Sequence, residues 1–306
     1  MGFSSLDDIK SEMLLGKGIT VPWNKVMGAG AYTSSRWYNT FTLGGNPIAG
    51  TYPAVALTAT TLSDISGGIQ TPGAIQHGGN KSTDTKHLIN AEIMTSNAFS
   101  VPAYLLLVDV LAYYQGINMN SSSAQNMLSS NAGANILPNR QGVQHSGNNV
   151  FAFLETQATT GATALPFTMT ITYTNSALAS GRIMPGSPAL GCVSSFSPHI
   201  IHSTSSVGGT YCPFLPLQAG DTGISSIQSF QLSGTTGAGT ACLVLCEPIA
   251  KIPIIIQGST TSRDFIFNPP SLPQIKDGAC LNYLLYAGVG LAASTTFYGQ
   301  LDFVWG

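Results

Sequence analysis

Apolar and polar residues alternate along several short stretches in the second half of the chain. The alternation is clearest over residues 167–174. Its apolar side consists of Phe167, Met169, Ile171 and Tyr173, and its other side consists of threonines. A period of two residues is typical of a strand that is buried on one face. Strand composition recurs over 150–156, 227–232 and 297–305.

Two uninterrupted apolar runs, 241–246 and 252–257, are typical of strands covered on both faces. Turn signals separate these segments, for example at 221–223, 234–237 and 268–270. Many short strands with turns between them predict an antiparallel β-sandwich or jelly roll. We therefore expect a mainly β protein, with an extended N-terminal arm and one or two short helices.

The first residues follow a helical period. Ser5 and Asp8 have the spacing of a capping box, and Gly16 can end the helix. One face of this helix is apolar and contains Leu6, Ile9 and Met13. Two roles stay open for that face. It can dock on the body of its own chain, or it can act as an arm that grips a neighbouring subunit.

Residues 28–82 contain no long periodic element, and glycine, alanine, threonine and proline alternate there with short apolar pieces. Further along, 86–97 and 101–114 are predicted to be helical, with Pro102 in a first turn and Gly116 at an end. We accordingly predict two regions. Residues 1–116 form the arm and a short helical region, and residues 117–306 form the β body.

Charge is scarce: 11 Lys or Arg and 13 Asp or Glu give a net charge of −2, and only 8% of residues are charged. An ordinary soluble domain has roughly 25% charged residues. With 43% hydrophobic residues, the composition is opposite to that of disordered chains. The eleven lysine and arginine residues are scattered along the sequence and predict no basic patch that would bind a nucleic acid. A weakly charged surface favours association, as in a subunit covered by its neighbours.

Membrane and secretion signals are missing from the sequence. No stretch reaches 18 apolar residues, and the longest apolar run, 101–108, is followed by Asp109. The first residues lack the basic and apolar regions of a signal peptide. We expect synthesis in a cytoplasm, without membrane attachment. Five cysteines in a long chain make a poor disulfide framework, so buried thiols are expected instead.

Motifs for chemistry are weak. There is no G-x-S-x-G and no H-E-x-x-H, and the sequence GGNKST at 78–83 lacks the glycine that a phosphate loop places directly before its lysine. His199 and His202 are three residues apart, so a strand would direct them to opposite faces, which is poor for one metal ion. We predict no enzyme activity, no cofactor and no metal site. Carboxylates that could pair for glycoside chemistry are far apart in sequence, which leaves that possibility unsupported but open.

Isolated charges and aromatic residues have structural interpretations. Asp109 lies in an apolar segment and needs a buried partner. Arg182 and Asp221 are expected to be structural anchors, an arginine paired across a sheet and a turn aspartate. Aromatic residues can stack on sugars but are more often core or interface anchors. The candidate contacts between subunits are Leu6, Ile9, Met13, Trp23, Trp37 and Tyr38.

Several segments in order along the chain resemble virion structural proteins of tailed bacteriophages. They are GFSSLDDI at 2–9, RWY at 36–38, HGGN at 77–80, LLLVDVL at 105–111, FLPLQAGD at 214–221, DGACL at 277–281 and FYGQLDFVWG at 297–306. The resemblance implies a head-associated or decoration role. It departs from the usual major capsid subunit, which is an α/β shell tile with a long spine helix.

The resemblance and the composition together lead to three hypotheses. The first is a capsid-associated virion protein, either a decoration protein or a shell subunit, that acts by binding virion proteins or copies of itself. A homo-oligomer, with a trimer favoured, is expected in the virion, with neither nucleic acid nor membrane as partner. The second is a tail fibre or receptor-binding protein that recognises a host surface glycan. The third is a glycan hydrolase.

Overall fold

The computed structural model describes most of the chain, in segments separated by short gaps. The described residues are 3–29, 32, 34–52, 56–66, 68–81, 83–96, 103–127, 133–161, 168–185, 199–201, 212–254, 258–267, 272–288 and 290–306. Within them lie one helix and many antiparallel strands.

The helix is α1 (Leu6–Leu14). The strands of the first half are β1 (Gly18–Val26), β2 (Arg36–Asn39), β3 (Gly44–Asn46), β4 (Ala59–Thr61), β5 (Ile65–Ser66), β6 (Ile69–Gln70), β7 (Lys86–Thr95), β8 (Ala103–Asn118), β9 (Gln125–Asn126), β10 (Asn139–Arg140) and β11 (Val143–Gln144). Those of the second half are β12 (Phe151–Ala158), β13 (Met169–Asn175), β14 (Arg182–Ile183), β15 (His199–Ile201), β16 (Ile224–Leu232), β17 (Thr240–Ile254), β18 (Thr261–Asp264), β19 (Leu281–Ala287) and β20 (Thr296–Trp305).

Six strands close into a barrel at the centre of the fold. Around the ring the order is β8, β17, β12, β15, β2 and β19, and β19 returns to β8. Every neighbouring pair is antiparallel. The two longest strands, β8 and β17, pair along almost their full length. Closure pairs both edges of the barrel sheet, so these strands leave no open edge where the ring is complete.

Alternate residues of the barrel strands fill its interior. Phe153, Ile200, Trp37, Leu284 and Val244 belong to one buried cluster, and their sequence neighbours face outward. The outward residues form two further cores. A five-stranded sheet, ordered β18-β7-β20-β1-β3, packs against one region of the outer wall, and a four-stranded sheet, ordered β14-β13-β16-β9, packs against another. The molecule is thus mainly β with a sandwich-like layering, as predicted.

The N-terminal helix forms as the sequence predicts. Ser5 Oγ accepts a hydrogen bond from Asp8 N, and the Asp8 carboxylate accepts one from Ser5 N. Gly16 follows the helix with φ of +77°, a conformation that glycine adopts without strain. Ile9 packs against Ile89 and Val304, so α1 rests on the five-stranded sheet.

The strands predicted in the second half are confirmed, with shifted ends. Over 169–173, Met169, Ile171 and Tyr173 are buried and the intervening threonines are more exposed. Phe167, at the start of that prediction, lies outside the described residues. The apolar run at 241–246 and the start of the run at 252–257, residues 252–254, are parts of a single strand, β17, and residues 255–257 lie outside the described residues. One of its two prolines, Pro248, lies beside a register shift in the pairing with β8.

The helices predicted over 86–97 and 101–114 are wrong, because residues 86–95 form β7 and residues 103–114 belong to β8. Pro102, predicted in a first helical turn, lies outside the described residues. Strand β8 is buried on both faces, so its apolar residues follow neither a clean alternation nor a helical stripe. Gly116 does not end a helix. It has φ of +70° and lies where the pairing with β17 shifts register, which is the position of a β-bulge.

The division at residue 116 stays a prediction. Strand β8 runs across that point, and β1 pairs with β20 from the other end of the sequence. Strand β2 belongs to the barrel.

Candidate functional site

Seven of the charged residues are buried, which leaves even less charge on the surface than the composition indicates. They are Lys25, Asp64, Lys86, Asp109, Arg140, Glu155 and Asp277. A buried charge is costly unless it is paired or hydrogen-bonded. We therefore looked for a candidate functional site among these buried charges and the groups that pair with them.

Four buried groups form a cluster that we call the His77 cluster: Asp64, His77, Lys86 and Asp277. Lys86 Nζ lies 2.6 Å from His77 Nδ1 and donates a hydrogen bond of 2.6 Å to the Gly79 carbonyl. His77 Nε2 lies 3.1 Å from Asp64 Oδ2. On the other side, Lys86 Nζ is 3.9 Å from Asp277 Oδ1. The cluster joins β7 to three segments outside the long strands.

Burial and neighbouring charges shift the pKa values of two groups in this cluster, Lys86 and Asp64. Burial lowers the pKa of Lys86 to about 8, against the opposing effect of Asp277 and Asp64. For Asp64, burial alone would raise the pKa, but the His77 ring lowers it on balance. The Lys86 ammonium therefore loses its proton more readily than that of an exposed lysine, and a larger share of Lys86 is the neutral amine near pH 8.

Arg140 and Asp109 form a separate buried ion pair. Arg140 donates to Asp109 through Nε and Nη2, and Nη2 also donates to the Leu62 carbonyl at 3.1 Å. Asp109 Oδ1 accepts a further hydrogen bond from Cys280 N at 2.8 Å. The partner expected for Asp109 is thus Arg140. The two groups tie β10 to β8 and to the start of β19.

The two sites connect through residue 141. Gln141 Oε1 accepts a hydrogen bond from Asp277 N, and Gln141 N donates to the Asp277 carbonyl. Further along the same region, Glu247 Oε2 lies 3.0 Å from His145 Nε2 and 2.8 Å from Lys276 Nζ. Gly147 N donates to His145 Nδ1. That nitrogen is therefore an acceptor, and the proton of a neutral His145 lies on Nε2, facing Glu247.

A carboxyl group lies inside the barrel itself. Glu155 Oε2 accepts hydrogen bonds from Asn39 Nδ2 at 2.6 Å and from Tyr52 Oη at 2.7 Å. Asn39 Oδ1 in turn accepts from Asn282 Nδ2. Burial raises the pKa of Glu155 to about 7, although its two donors act in the opposite direction. The barrel therefore holds a group that changes charge near neutral pH.

Arg182 and Asp221, predicted as separate anchors, pair with each other. Arg182 Nε donates to Asp221 Oδ2 at 3.0 Å. The same carboxylate accepts hydrogen bonds from Tyr173 Oη and Asn175 Nδ2. This group fastens β13 and β14 of the four-stranded sheet to the segment before β16. It has the form of a structural anchor.

The six predicted contact residues separate into two groups. Ile9, Trp23, Trp37 and Tyr38 are buried within the chain: Trp37 fills the barrel, and Trp23 and Tyr38 lie in the core beneath the five-stranded sheet. Leu6 and Met13 remain accessible to solvent. In this conformation only the latter two side chains of the six can touch a neighbour. Their contact role itself stays a prediction.

The C-terminal end of α1 presents an apolar surface, formed by Met13, Leu14 and Leu15. These side chains are 49%, 89% and 72% exposed. Ile19, on the strand that follows, is also exposed. Exposed apolar residues are ordinary when scattered, but adjacent large ones mark interaction surfaces. Sequence reasoning assigned the helix stripe and missed Leu14 and Leu15, although the pair is plain in the sequence.

The buried charges were mostly missed as well, but alternation points to two of them. Lys25 continues the buried face of Val21 and Trp23, and Glu155 shares its face with Phe153. Lys25 Nζ donates to the carbonyls of Leu43 and Pro47. No local signal marks Lys86 as a buried charge, and its charged neighbour Asp277 is distant in the sequence.

The cysteines agree in part with the expectation of buried thiols. Cys242, Cys246 and Cys280 are buried, with the first two on one face of β17 as predicted. Cys212 is exposed, so the expectation is wrong there, and Cys192 lies outside the described residues. His199 is buried on β15, but His202 is likewise outside the described residues.

Among the described residues, no group of His, Cys, Asp and Glu could hold a metal ion. In the same part of the chain, no helix has the length and apolar character needed to cross a membrane.

One pocket of about 400 Å³ lies beside the barrel. Its lining is uncharged and rich in hydroxyl groups, with Thr60, Thr61, Ser63, Thr71 and Tyr113 among its residues. Thr71 Oγ1 is buried there and has no hydrogen-bond partner among the described residues. Such a lining suits a small neutral polar ligand rather than an ionic one.

Comparison with known proteins gives no family. No protein-family model matches the chain, and no curated protein matches it. One solved structure that aligns with it is the crystal structure of infectious bursal disease virus VP2 subviral particle. The alignment covers 94% of this chain and 80% of that chain, with 7% identity and a TM-score of 0.18. A TM-score of this size carries no argument about fold or function.

Proposed function

We propose that this chain is a capsid-associated structural protein of a bacteriophage virion, a decoration protein or a shell subunit, that acts by binding other subunits. The observation that carries the proposal is the apolar surface of Met13, Leu14 and Leu15 at the end of α1. Three adjacent side chains in water are a cost that association removes, at roughly 25 cal/mol for each Å² buried.

The distribution of charge supports the same proposal. With seven charged residues buried, a mostly uncharged surface remains. Such a surface makes association depend on apolar contact more than on ion pairs, and repetition around a shell adds avidity. The occupant we propose for the α1 surface is a second copy of this chain, in a homo-oligomer for which a trimer is favoured. Other virion proteins are its further partners.

The test is to measure the association of the purified chain by sedimentation velocity at low and high salt. We expect an oligomer that persists at about 1 M salt, where the Debye length has fallen to ~3 Å. Leu14→Ser combined with Leu15→Ser should give monomers that keep the native far-UV spectrum. Val143→Ser, at an exposed position on β11, is the matched control and should associate like the parent chain.

Two results would refute this account of the surface. One is a parent chain that sediments as a monomer at every concentration tested. The other is a double variant that associates as strongly as the parent chain and the control.

A second candidate function is recognition of a host surface glycan by a tail protein. The pocket beside the barrel favours it, because hydroxyl groups without partners can bind a neutral sugar. Binding of neutral oligosaccharides on a glycan array, lost in Thr71→Val, would support this candidate. An array without signal for the native chain would count against it.

A further inference from the structure

We propose that Lys86 and Asp277 become joined by an intramolecular isopeptide bond, formed within the folded chain. The two groups are buried and lie 3.9 Å apart, measured from Lys86 Nζ to Asp277 Oδ1. Near-attack geometries place reacting atoms about 3–3.5 Å apart, so a small side-chain movement brings the nitrogen to the carboxyl carbon. This proposal is independent of the virion role.

A proton acceptor for the lysine is already in contact with it. His77 Nδ1 lies 2.6 Å from Lys86 Nζ, and His77 Nε2 lies 3.1 Å from Asp64 Oδ2. A carboxylate that faces one ring nitrogen orients the histidine so that the other nitrogen can accept a proton. His77 thus serves as the base, and Asp64 is its positioning residue.

The amine is also prepared for attack by its surroundings. Burial lowers the pKa of Lys86 to about 8, so part of the population is the neutral, nucleophilic amine near neutral pH. The Gly79 carbonyl, 2.6 Å from Nζ, fixes the direction of the amine hydrogens.

A hydrogen-bond donor is placed on the carboxyl group. The backbone N–H of Lys81 donates to Asp277 at 2.9 Å from Oδ1 and 3.0 Å from Oδ2. A donor in this position stabilises the negative charge that develops on oxygen when an amine adds to the carbon. The amine, base, carboxyl group and donor therefore occupy one buried site.

The step balances without any further reagent. The lysine ammonium gives one proton to His77, and the nitrogen lone pair forms a bond to Cγ of Asp277. The Cγ–O bond then breaks, and the oxygen leaves as water with two of the three ammonium protons, one of them delivered by His77. The products are a neutral secondary amide and one water molecule, and nothing is oxidised or reduced.

The bond would close a loop between residues 86 and 277. It would fasten β7 of the five-stranded sheet to the segment that precedes β19 of the barrel. A covalent closure of so long a loop restricts the unfolded chain and stabilises the fold, as a disulfide does.

Mass spectrometry of the native protein tests the proposal directly. The intact chain should be lighter than its sequence by one water molecule, and a tryptic digest should contain a branched peptide with Lys86 joined to Asp277. A chain with its full sequence mass, whose digest yields the peptides of Lys86 and Asp277 in linear form, would overturn the proposal.

Variants identify the groups that take part. Lys86→Arg and Asp277→Ala should each restore the full mass expected for their sequences. Lys81→Arg is the matched control: its backbone N–H is kept, so the missing water should persist. His77→Ala should reduce the cross-linked fraction severalfold at equal incubation time, and equal formation in this variant would overturn the proton route. The result for the native chain stands even if a variant fails to fold.

Discussion

Arg140 and Asp109 face each other through two hydrogen bonds, 2.6 Å from Nε to Oδ2 and 2.8 Å from Nη2 to Oδ1, and both side chains are buried. The pair fixes β10 against β8, the longest strand of the barrel. Because the carboxylate also accepts from Cys280 N, three segments depend on one ion pair.

Removal of one partner should be strongly destabilising. Arg140→Ala leaves the Asp109 carboxylate buried without its counter-charge, which costs about 3–5 kcal/mol of unfolding free energy. Urea denaturation of the variant and the parent chain measures this loss. The double variant Arg140→Met with Asp109→Leu should be closer to the parent, since no charge stays buried. An Arg140→Ala loss below about 1 kcal/mol, the range of surface pairs, would contradict this view of the pair.

Glu155 should make stability fall as pH rises towards neutrality. Its folded pKa of about 7 is above the ordinary value of 4.5, so the folded state holds the proton more tightly than the unfolded chain. The resulting stability is fully present below pH 4.5 and is lost between pH 4.5 and 7, with a size on the order of 3 kcal/mol.

Glu155→Gln removes this titration while it keeps a similar shape. The difference in unfolding free energy between parent and variant should therefore shift in favour of the variant from pH 4.5 to pH 8. Urea denaturation at several pH values measures it. A difference that stays constant over this range would show that Glu155 does not titrate there.

Asp221 should give a pH dependence of opposite sign. Burial alone would raise its pKa, but hydrogen bonds from Arg182, Tyr173 and Asn175 lower it below the ordinary 3.8. The stability that Asp221 contributes is present above pH 3.8 and is lost as the pH falls below that value and through the lowered pKa of the folded state. Asp221→Asn should consequently flatten the acid side of the stability profile. Thermal unfolding between pH 2.5 and pH 6, roughly spanning the carboxylate range, compares the two chains; parallel profiles would refute the prediction.

Thiol reactivity should follow burial. Cys212 is exposed, whereas Cys242, Cys246 and Cys280 are buried and burial raises the pKa of each of these three thiols. Iodoacetamide should modify Cys212 in the native protein and reach the other three after denaturation, because the thiolate is the reacting form. Peptide mass spectrometry assigns the labelled positions. Rapid native labelling of Cys242 would contradict the closed barrel.

The sequence predicts the β class of the protein and the helix α1 because both depend on local patterns. Strand alternation over 169–173 and the capping box at Ser5 survive in the fold unchanged. Strand β8 could not be recognised in this way, since burial of both faces removes the alternation and leaves an apolar run that also fits a helix. The barrel depends on pairs such as that of β2 with β19, which are set by distant contacts.

The candidate sites were even less accessible to sequence reasoning. Asp109 could be predicted to need a partner, but Arg140 was not identifiable as that partner. The His77 cluster draws on Asp64, Lys86 and Asp277, which only the folded chain brings together. By contrast, the exposed end of α1 could have been found, since Leu14 and Leu15 directly follow the helix stripe.

We propose a structural role for this chain in a bacteriophage head. The most direct measurement is to shear purified virions, separate heads from tails on a density gradient, and quantify the chain in each fraction by mass spectrometry. We expect the chain to be abundant in the heads, at a copy number comparable with that of the shell subunits. Recovery of a few copies with the tails, or absence from both fractions, would contradict it.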